Sequence, residues 1–135
     1  MTLEVVILAA GQGSRMRSTL PKVLHPIAGK SMLAHVLELA KAVVSSQTHV
    51  VVGHGADQVK SSLTSANIKW ALQSEQKGTG HAVAQALPAI SDDSQVLILY
   101  GDVPLTSTAT IEQLISSDPS SLGTEQLNLL TVELQ

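Results

Sequence analysis

The chain has 135 residues, a formal net charge of −3 and a hydrophobic content of 44%. This length corresponds to roughly one domain. The absence of cysteine excludes a disulfide scaffold and a thiolate metal site, and eight basic against eleven acidic residues argue against nucleic acid as a partner. The longest apolar run, Val5–Ala10, is six residues long, which is far too short to cross a membrane, so we expect a cytoplasmic protein.

Short apolar runs alternate with helical patterns along the chain. The predicted strands are 4–10, 48–52, 68–72, 95–100 and 127–134, and the predicted helices are 32–44, 56–65, 79–87 and 107–117. Ser31 has the position of an N-cap for the first helix. This alternation predicts an α/β fold with a mostly parallel, doubly wound, Rossmann-like sheet. Ligands in such sheets bind beyond the carboxyl ends of the strands, which directs attention to the loops after Ala10, Leu72 and Tyr100.

The loop after the first strand is rich in glycine and basic residues (GQGSRMRSTLPK, 11–22). Met16 stands where a dinucleotide-binding fingerprint needs its third glycine, and that class is therefore disfavoured. Glycine amides beside Arg15 and Lys22 suit an anion with several charges, such as a triphosphate. Pro21 stiffens the backbone before Lys22. A plain tight turn with a solvated basic loop is the alternative.

Two further loops carry candidate ligands. Asp102 follows the buried strand 95–100 by two residues, and its carboxylate is the kind of group that Mg²⁺ prefers. A simple turn aspartate is the alternative there. The loop 73–81 (QSEQKGTGH) offers the Gln73 amide for a base edge and glycine amides at a helix N-terminus, or it is a flexible polar loop. His81 has no partner at metal-ligand spacing and is interpreted as structural, and the His35 and Glu38 pair is interpreted as a surface contact.

These three loops together resemble a known family. The segments 8–16 (LAAGQGSRM) and 20–25 (LPKVLH) resemble the start of the sugar-nucleotide pyrophosphorylases. The segments 73–82 (QSEQKGTGHA) and 100–105 (YGDVPL) narrow the resemblance to the bacterial bifunctional N-acetylglucosamine-1-phosphate uridyltransferase / glucosamine-1-phosphate acetyltransferases. The first segment alone is shared with other nucleotidyltransferases, whereas the second and third are more specific.

The resemblance implies an activity and a set of site residues. UTP and N-acetylglucosamine-1-phosphate would give UDP-N-acetylglucosamine and pyrophosphate in the synthesis of cell-wall precursors. Arg15, Lys22 and Asp102 would be catalytic, and Asp102 would bind Mg²⁺ as the cofactor. The residues implied in substrate binding are Leu8, Ala9, Ala10, Gly11, Lys22, Gln73, Gly78, Thr79, Tyr100, Gly101 and Asp102.

The family enzymes are more than three times as long as this chain. Residues 1–135 would therefore be the N-terminal, nucleotide-binding part of a uridyltransferase domain. The rest of that domain, with a second metal ligand, and a C-terminal β-helix acetyltransferase domain that forms a homotrimer would lie outside it. We expect little or no activity from the 135 residues alone. A nucleotidyltransferase of another base or sugar specificity and a non-catalytic nucleotide-binding module are the alternatives.

Overall fold

Six strands and four helices follow one another in the computed structural model, which describes residues 3–11, 20–43, 47–63, 67–92, 94–104 and 106–116. They are β1 (Leu3–Ala9), β2 (Pro26–Ile27), β3 (Lys30–Ser31), α1 (Met32–Val43), β4 (Thr48–Val52), α2 (Ala56–Ser62), β5 (Ile68–Leu72), α3 (Thr79–Ala86), β6 (Gln95–Tyr100) and α4 (Thr108–Ser116). Single 3₁₀ turns cover Lys22–Leu24 and Leu87–Ala89. The predicted strand 127–134 lies outside the described residues.

Four strands form one parallel sheet in the order β5-β4-β1-β6. The chain runs outward from β1 through β4 to β5 and then returns to the other side of β1 as β6. Ile7 in β1 pairs with Val50 in β4 and with Leu99 in β6, so β1 and β4 form the buried centre. Short Val/Ile/Leu runs suit this position because both faces of a parallel sheet are covered. The predicted α/β class and parallel sheet are confirmed.

Helices cover both faces of the sheet. One face carries the larger core, in which α1, α2 and α4 pack on the odd-numbered residues of β1, with Leu33, Val36 and Ile111 among the buried side chains. The opposite face is covered by α3, where Ala82 and Ala86 pack against Val6 and Val51. The first two crossovers therefore lie on one face and the third on the other, which is the doubly wound arrangement.

The described part of the predicted loop 11–29 contains regular structure. Residues 26–31 form a small hairpin, because Ala28 and Gly29 adopt positive φ angles of 52° and 83° and close a tight turn. Side chains of α1 hold this hairpin: His35 donates from Nε2 to the Ile27 carbonyl at 2.6 Å, and Lys30 pairs with Glu38 at 2.6 Å. Lys30 lowers the pKa of Glu38. His35 and Glu38 thus each bind a different residue of the hairpin, which agrees with their interpretation as a surface contact.

The first helix begins where the sequence predicts. The backbone N–H of Ala34 donates to Ser31 Oγ at 3.1 Å, which is the expected N-cap bond. The second helix ends at Ser62, before the predicted residue 65, and residues 64–66 lie outside the described ranges. The third helix ends at Ala86, because Pro88 lies in a 3₁₀ turn that follows it.

A buried hydrogen-bonded pair, Glu4 and His49, lies at the amino end of the sheet, opposite to the candidate site. His49 Nε2 lies 2.9 Å from Glu4 Oε1, and both residues are buried. The hydrogen bond from His49 lowers the pKa of Glu4 and outweighs the effect of burial. The backbone N–H of Ser91 also donates to Glu4, at 3.4 Å. Within the described ranges, no helix is long and apolar enough to cross a membrane.

Candidate active site

The loops that follow the four parallel strands meet at one edge of the sheet. Ala10 and Gly11 follow β1, Gly53 follows β4, Gln73 follows β5, and Gly101 follows β6. The strand order reverses between β1 and β6, so the crevice at their carboxyl ends is the topological switch point at which open α/β sheets bind ligands. The three loops singled out in the sequence are thereby brought to one place.

Lys22 and Asp102 face each other across this crevice. Lys22 Nζ lies 3.1 Å from Asp102 Oδ2, and the two side chains are 46% and 34% exposed. Eighty residues of sequence separate them, so the fold alone creates the pair. Both charged groups remain accessible. When a nucleotide complex binds, the Lys22 ammonium can therefore leave Asp102 for phosphate oxygens, and the Asp102 carboxylate can leave Lys22 for the metal ion.

Buried packing holds Lys22 in this position. Lys22 begins a 3₁₀ turn in which Val23 is buried in the larger core, so the residue beside the amine is fixed. Pro21 is also buried, against Gly55 of the β4–α2 loop. A Cβ added at Gly55 would lie 2.5 Å from Pro21 Cγ, so this approach needs glycine. The stiffening expected of Pro21 is therefore reinforced by contact with a second loop.

The tight packing of Gly101 explains how Asp102 is placed. The Gly101 N–H donates to the Leu8 carbonyl at 2.9 Å, extending the β1–β6 pairing by one residue. A Cβ there would lie 3.0 Å from that oxygen and 3.1 Å from Val23 Cγ1. The glycine is thus required by contacts within the protein, in addition to any approach of a ligand. Tyr100, the last residue of β6, is exposed beside it.

The residues after β1 present backbone rather than side chains. Ala9 is buried in the larger core and Ala10 in the core beneath α3, whereas Leu8 is half-buried and Gly11 is exposed. A ligand at this edge would therefore meet Ala9, Ala10 and Gly11 through their peptide groups. Arg15, the third predicted catalytic residue, lies outside the described residues.

Gln73 is buried at the end of β5 with its amide held on both sides. Its backbone N–H donates to the Val52 carbonyl at 2.7 Å, and its side chain is almost fully covered. The side-chain Nε2 donates to the Gly78 carbonyl at 3.2 Å and lies 3.0 Å from His81 Nδ1. Gly78, at φ 99°, and Thr79 are exposed where α3 begins. The structure therefore brings Gln73 and Gly78 into contact beside Thr79, and it adds His81 to them.

Gln76 and Gly53 are positioning residues that the sequence pattern alone did not single out. Gln76 Nε2 donates to the Ala10 carbonyl at 2.8 Å, which links the loop after β5 to the loop after β1. A Cβ at Gly53 would lie 2.9 Å from Gln76 Nε2 and 3.0 Å from the Gln73 carbonyl oxygen. The available sequence signal is a glycine directly after a run of three buried valines, a pattern that suggests close backbone approach.

The donor set for a metal at this edge is small. Among the described residues, no three His, Asp or Glu side chains cluster in a way that could hold a metal ion. Asp102 nevertheless offers the carboxylate oxygen chemistry that Mg²⁺ takes when a nucleotide supplies most of its other ligands. A phosphate-assisted magnesium site fits these residues, and a closed structural metal site does not.

The fold and the switch-point crevice are those expected of a nucleotidyltransferase domain, and the family match shows this class. The family described as the MobA-like NTP transferase domain matches residues 5–121, and the chain belongs to it. Among curated proteins, it is similar to "Bifunctional protein GlmU" of Marinobacter nauticus, with 59% identity over 132 residues. That match covers 98% of this chain and 28% of the relative, so the chain spans under a third of its length. The resemblance carried by the sequence motifs is confirmed.

Solved structures with about 22% identity share the fold. Rv0371c from Mycobacterium tuberculosis H37Rv, in a complex with manganese, has a TM-score of 0.71, with 85% of this chain and 58% of that chain covered. A UDP-glucose pyrophosphorylase complexed with UDP-glucose has a TM-score of 0.62, with 73% and 46% covered. These likenesses establish the fold and no more.

Proposed function

We propose that this chain is the nucleotide-binding part of a uridyltransferase domain. The reaction joins UTP and N-acetylglucosamine-1-phosphate to give UDP-N-acetylglucosamine and pyrophosphate, in the cytoplasm. The observation that carries the proposal is the Lys22–Asp102 pair at the switch point, at the same strand-end edge of the sheet as Gln73. The 59% identity to "Bifunctional protein GlmU" supports the choice of this reaction over those of other nucleotidyltransferases.

The proposed reaction is a direct displacement at the α-phosphorus of UTP. An oxygen of the sugar phosphate forms a new bond to that phosphorus, and the bond to the bridging oxygen of the β-phosphate breaks. Pyrophosphate leaves with the electron pair. Since no protein group is modified, the protein contributes mainly by positioning the reactants and neutralising charge.

Lys22 and Asp102 are proposed to have different electrostatic roles. The Lys22 ammonium, fixed by Pro21 and Val23, would neutralise the phosphate charge that grows as pyrophosphate departs. The Asp102 carboxylate would hold Mg²⁺, which when bound supplies charge neutralisation at the phosphates. Arg15 is proposed as a second phosphate contact. The manganese complex of Rv0371c is consistent with a divalent ion in this fold.

The remaining predicted residues are proposed to bind the nucleoside and the sugar. The backbone of Leu8 to Gly11 would line the nucleotide, and Gln73, Gly78 and Thr79 would contact uracil and ribose. Tyr100 and Gly101 would help to hold the UDP-sugar. The family resemblance also leads us to propose a longer polypeptide, with the rest of this domain and a trimeric acetyltransferase domain.

The test uses an enzyme as long as the curated relatives and carrying this sequence. Lys22→Ala and Asp102→Asn should each lower kcat for UDP-N-acetylglucosamine formation by at least about a hundredfold, because each removes a charge that acts on the transferring phosphate. Lys30→Ala is the matched control, since Lys30 is 48% exposed and also forms an ion pair, but on the hairpin.

Three measurements decide the proposal. The expected result is loss of activity in the two site variants, normal activity in the control and a clear preference for UTP over CTP, GTP and ATP. Near-normal kcat in either site variant would refute its assigned role. A preference for another nucleotide would refute uridylyl transfer and support a nucleotidyltransferase of different base specificity.

A further inference from the structure

Two acceptors flank the amide nitrogen of Gln73, and one belongs to a residue without an assigned role. We propose that His81 is a specificity-determining residue that orients the Gln73 amide, so that its oxygen rather than its nitrogen is presented to the base. The ligand this site would select is a uracil-type edge, with a hydrogen on N3. This inference rests on the proposed function, because it assumes that Gln73 contacts the base.

The Gly78 carbonyl and His81 Nδ1 together fix the orientation of the amide, and the carbonyl identifies which of its ends is the nitrogen. A carbonyl oxygen only accepts hydrogen bonds, so the Gln73 atom 3.2 Å away from it must be the nitrogen. Rotating the amide by 180° would place Oε1 against that oxygen. Gln73 is 3% exposed, so water could not relieve the repulsion. The second hydrogen on the same nitrogen then points to a neighbour other than Gly78.

That neighbour is Nδ1 of His81. Nδ1 lies 3.0 Å from Gln73 Nε2 and can accept only if it carries no proton. The other ring nitrogen lies at the longer distance of 3.4 Å from Gln85 Nε2, which donates one of its two hydrogens to the His81 carbonyl at 3.0 Å. A neutral ring has one acceptor nitrogen, and the shorter contact to the buried amide assigns it to Nδ1. The ring proton is therefore on Nε2.

The orientation has a direct consequence for base recognition. Both side-chain contacts of Gln73 among the described residues use the nitrogen, which leaves Oε1 as the atom for the base. Uracil carries a hydrogen on N3 and can donate it to this oxygen. Cytosine has a lone pair on N3 and would face the oxygen with like partial charge. An amide nitrogen held by both the Gly78 carbonyl and His81 Nδ1 thus favours uracil, whereas an amide that has lost one of these two acceptors rotates more readily and discriminates less between the bases.

The experiment measures kcat/KM for UTP and for CTP in the full-length enzyme, with the same sugar phosphate. His81→Leu removes the acceptor, and we expect the UTP to CTP ratio to fall about tenfold, mainly through KM for UTP. His81→Asn puts an oxygen near the position of Nδ1 and should preserve the ratio. His81→Gln extends its amide toward the position of Nε2 and should behave like His81→Leu. Gln85→Ala, on the other side of the ring, is the control and should leave the ratio unchanged.

The outcomes separate this inference from the proposed function. A wild-type enzyme without preference for UTP refutes the proposed function itself. A wild-type preference that survives in His81→Leu, or an equal loss with both nucleotides, overturns the role of His81. A measurement that needs no variant is the ¹⁵N NMR spectrum of His81 in the 135-residue chain. The proton on Nε2 supports the inference, and the proton on Nδ1 overturns it.

Discussion

Gly101→Ala is the substitution for which the geometry gives the clearest expected cost. The new methyl group would lie 3.0 Å from the Leu8 carbonyl oxygen, 3.1 Å from Val23 Cγ1 and 3.5 Å from Leu33 Cδ1. The first neighbour is backbone of the central strand, and the other two are buried core side chains, so none of them can move aside freely. A shift of residue 101 itself would relieve the crowding, but it breaks the hydrogen bond to Leu8.

The magnitude follows from these two effects. Overpacking a well-packed site costs about 1–3 kcal/mol. If residue 101 shifts instead, the crowding is relieved and the lost N–H bond to Leu8 costs about 0.5–1.5 kcal/mol. We therefore expect the free energy of unfolding to fall by about 1–3 kcal/mol, which at the m value of a small domain moves the urea midpoint down by about 0.5–1.5 M.

The assay is equilibrium urea unfolding of the 135-residue chain, followed by the fluorescence of its single tryptophan, Trp70, which lies half-buried in β5. Gly80→Ala is the matched control. Gly80 lies in the first turn of α3, and no described atom lies within 4 Å of the position that an alanine methyl group would take, so alanine there should stabilise by about 0.5–1 kcal/mol. Equal midpoints for wild type and Gly101→Ala would refute the packing argument. A destabilised Gly80→Ala would show that open space around a glycine does not predict tolerance of alanine in this fold.

Two other substitutions follow from contacts at opposite ends of the sheet. Glu4→Gln should lower the free energy of unfolding at pH 7 by about 1–3 kcal/mol, since it removes the buried carboxylate that accepts hydrogen bonds from His49 and the Ser91 N–H. The folded-state pKa of Glu4 lies below its ordinary value of 4.5, so the stability difference between the two proteins is fully present above pH 4.5 and should disappear as the pH falls through the lower folded-state pKa. Urea unfolding of both proteins between pH 7 and pH 3 measures this difference. A difference that stays constant over this range would contradict the argument. Gln76→Ala removes the hydrogen bond between the loop after β5 and Ala10, so kcat/KM for UTP should fall about tenfold in the full-length enzyme. Lys77→Ala is the control, since Lys77 forms an exposed ion pair with Glu75, and it should leave kcat/KM unchanged. Equal kcat/KM values in the two variants would refute a positioning role for Gln76.

Most of the described framework could be predicted because its signals are local. The bounds of β4, β5 and β6 agree with the predicted 48–52, 68–72 and 95–100, since each strand is a short, mostly apolar run with polar or glycine residues on both sides. The hairpin of β2 and β3 could not be predicted in this way. Its strands have two residues each, and its turn depends on a positive φ at Ala28, a residue that rarely adopts one.

The candidate site residues likewise include some that local sequence signals could predict and some that they could not. Lys22, Gln73 and Asp102 could be selected because each follows a recognisable strand or turn and carries a group suited to phosphate, base or metal. The contact between Gln76 and Ala10 could not, because it joins residues 66 positions apart and depends on how closely two loops approach. The same holds for His81, whose partner Gln73 lies across the loop rather than along a helix face.

The glycines around this edge of the sheet serve two different purposes, and the space around them separates the two. Gly53 and Gly101 are crowded by protein atoms at 2.9–3.1 Å from a Cβ position, so packing disfavours a side chain at either residue. Apart from their own chain neighbours and helix backbone, Gly11 and Gly80 have no described atom within 4 Å of that position, and neither has a positive φ, so nothing in the described part of the chain excludes an alanine there. Contacts within the described protein therefore do not account for glycine at 11 and 80. Their backbone lies open at the strand ends and at the start of α3, where an approaching phosphate would be excluded by a side chain.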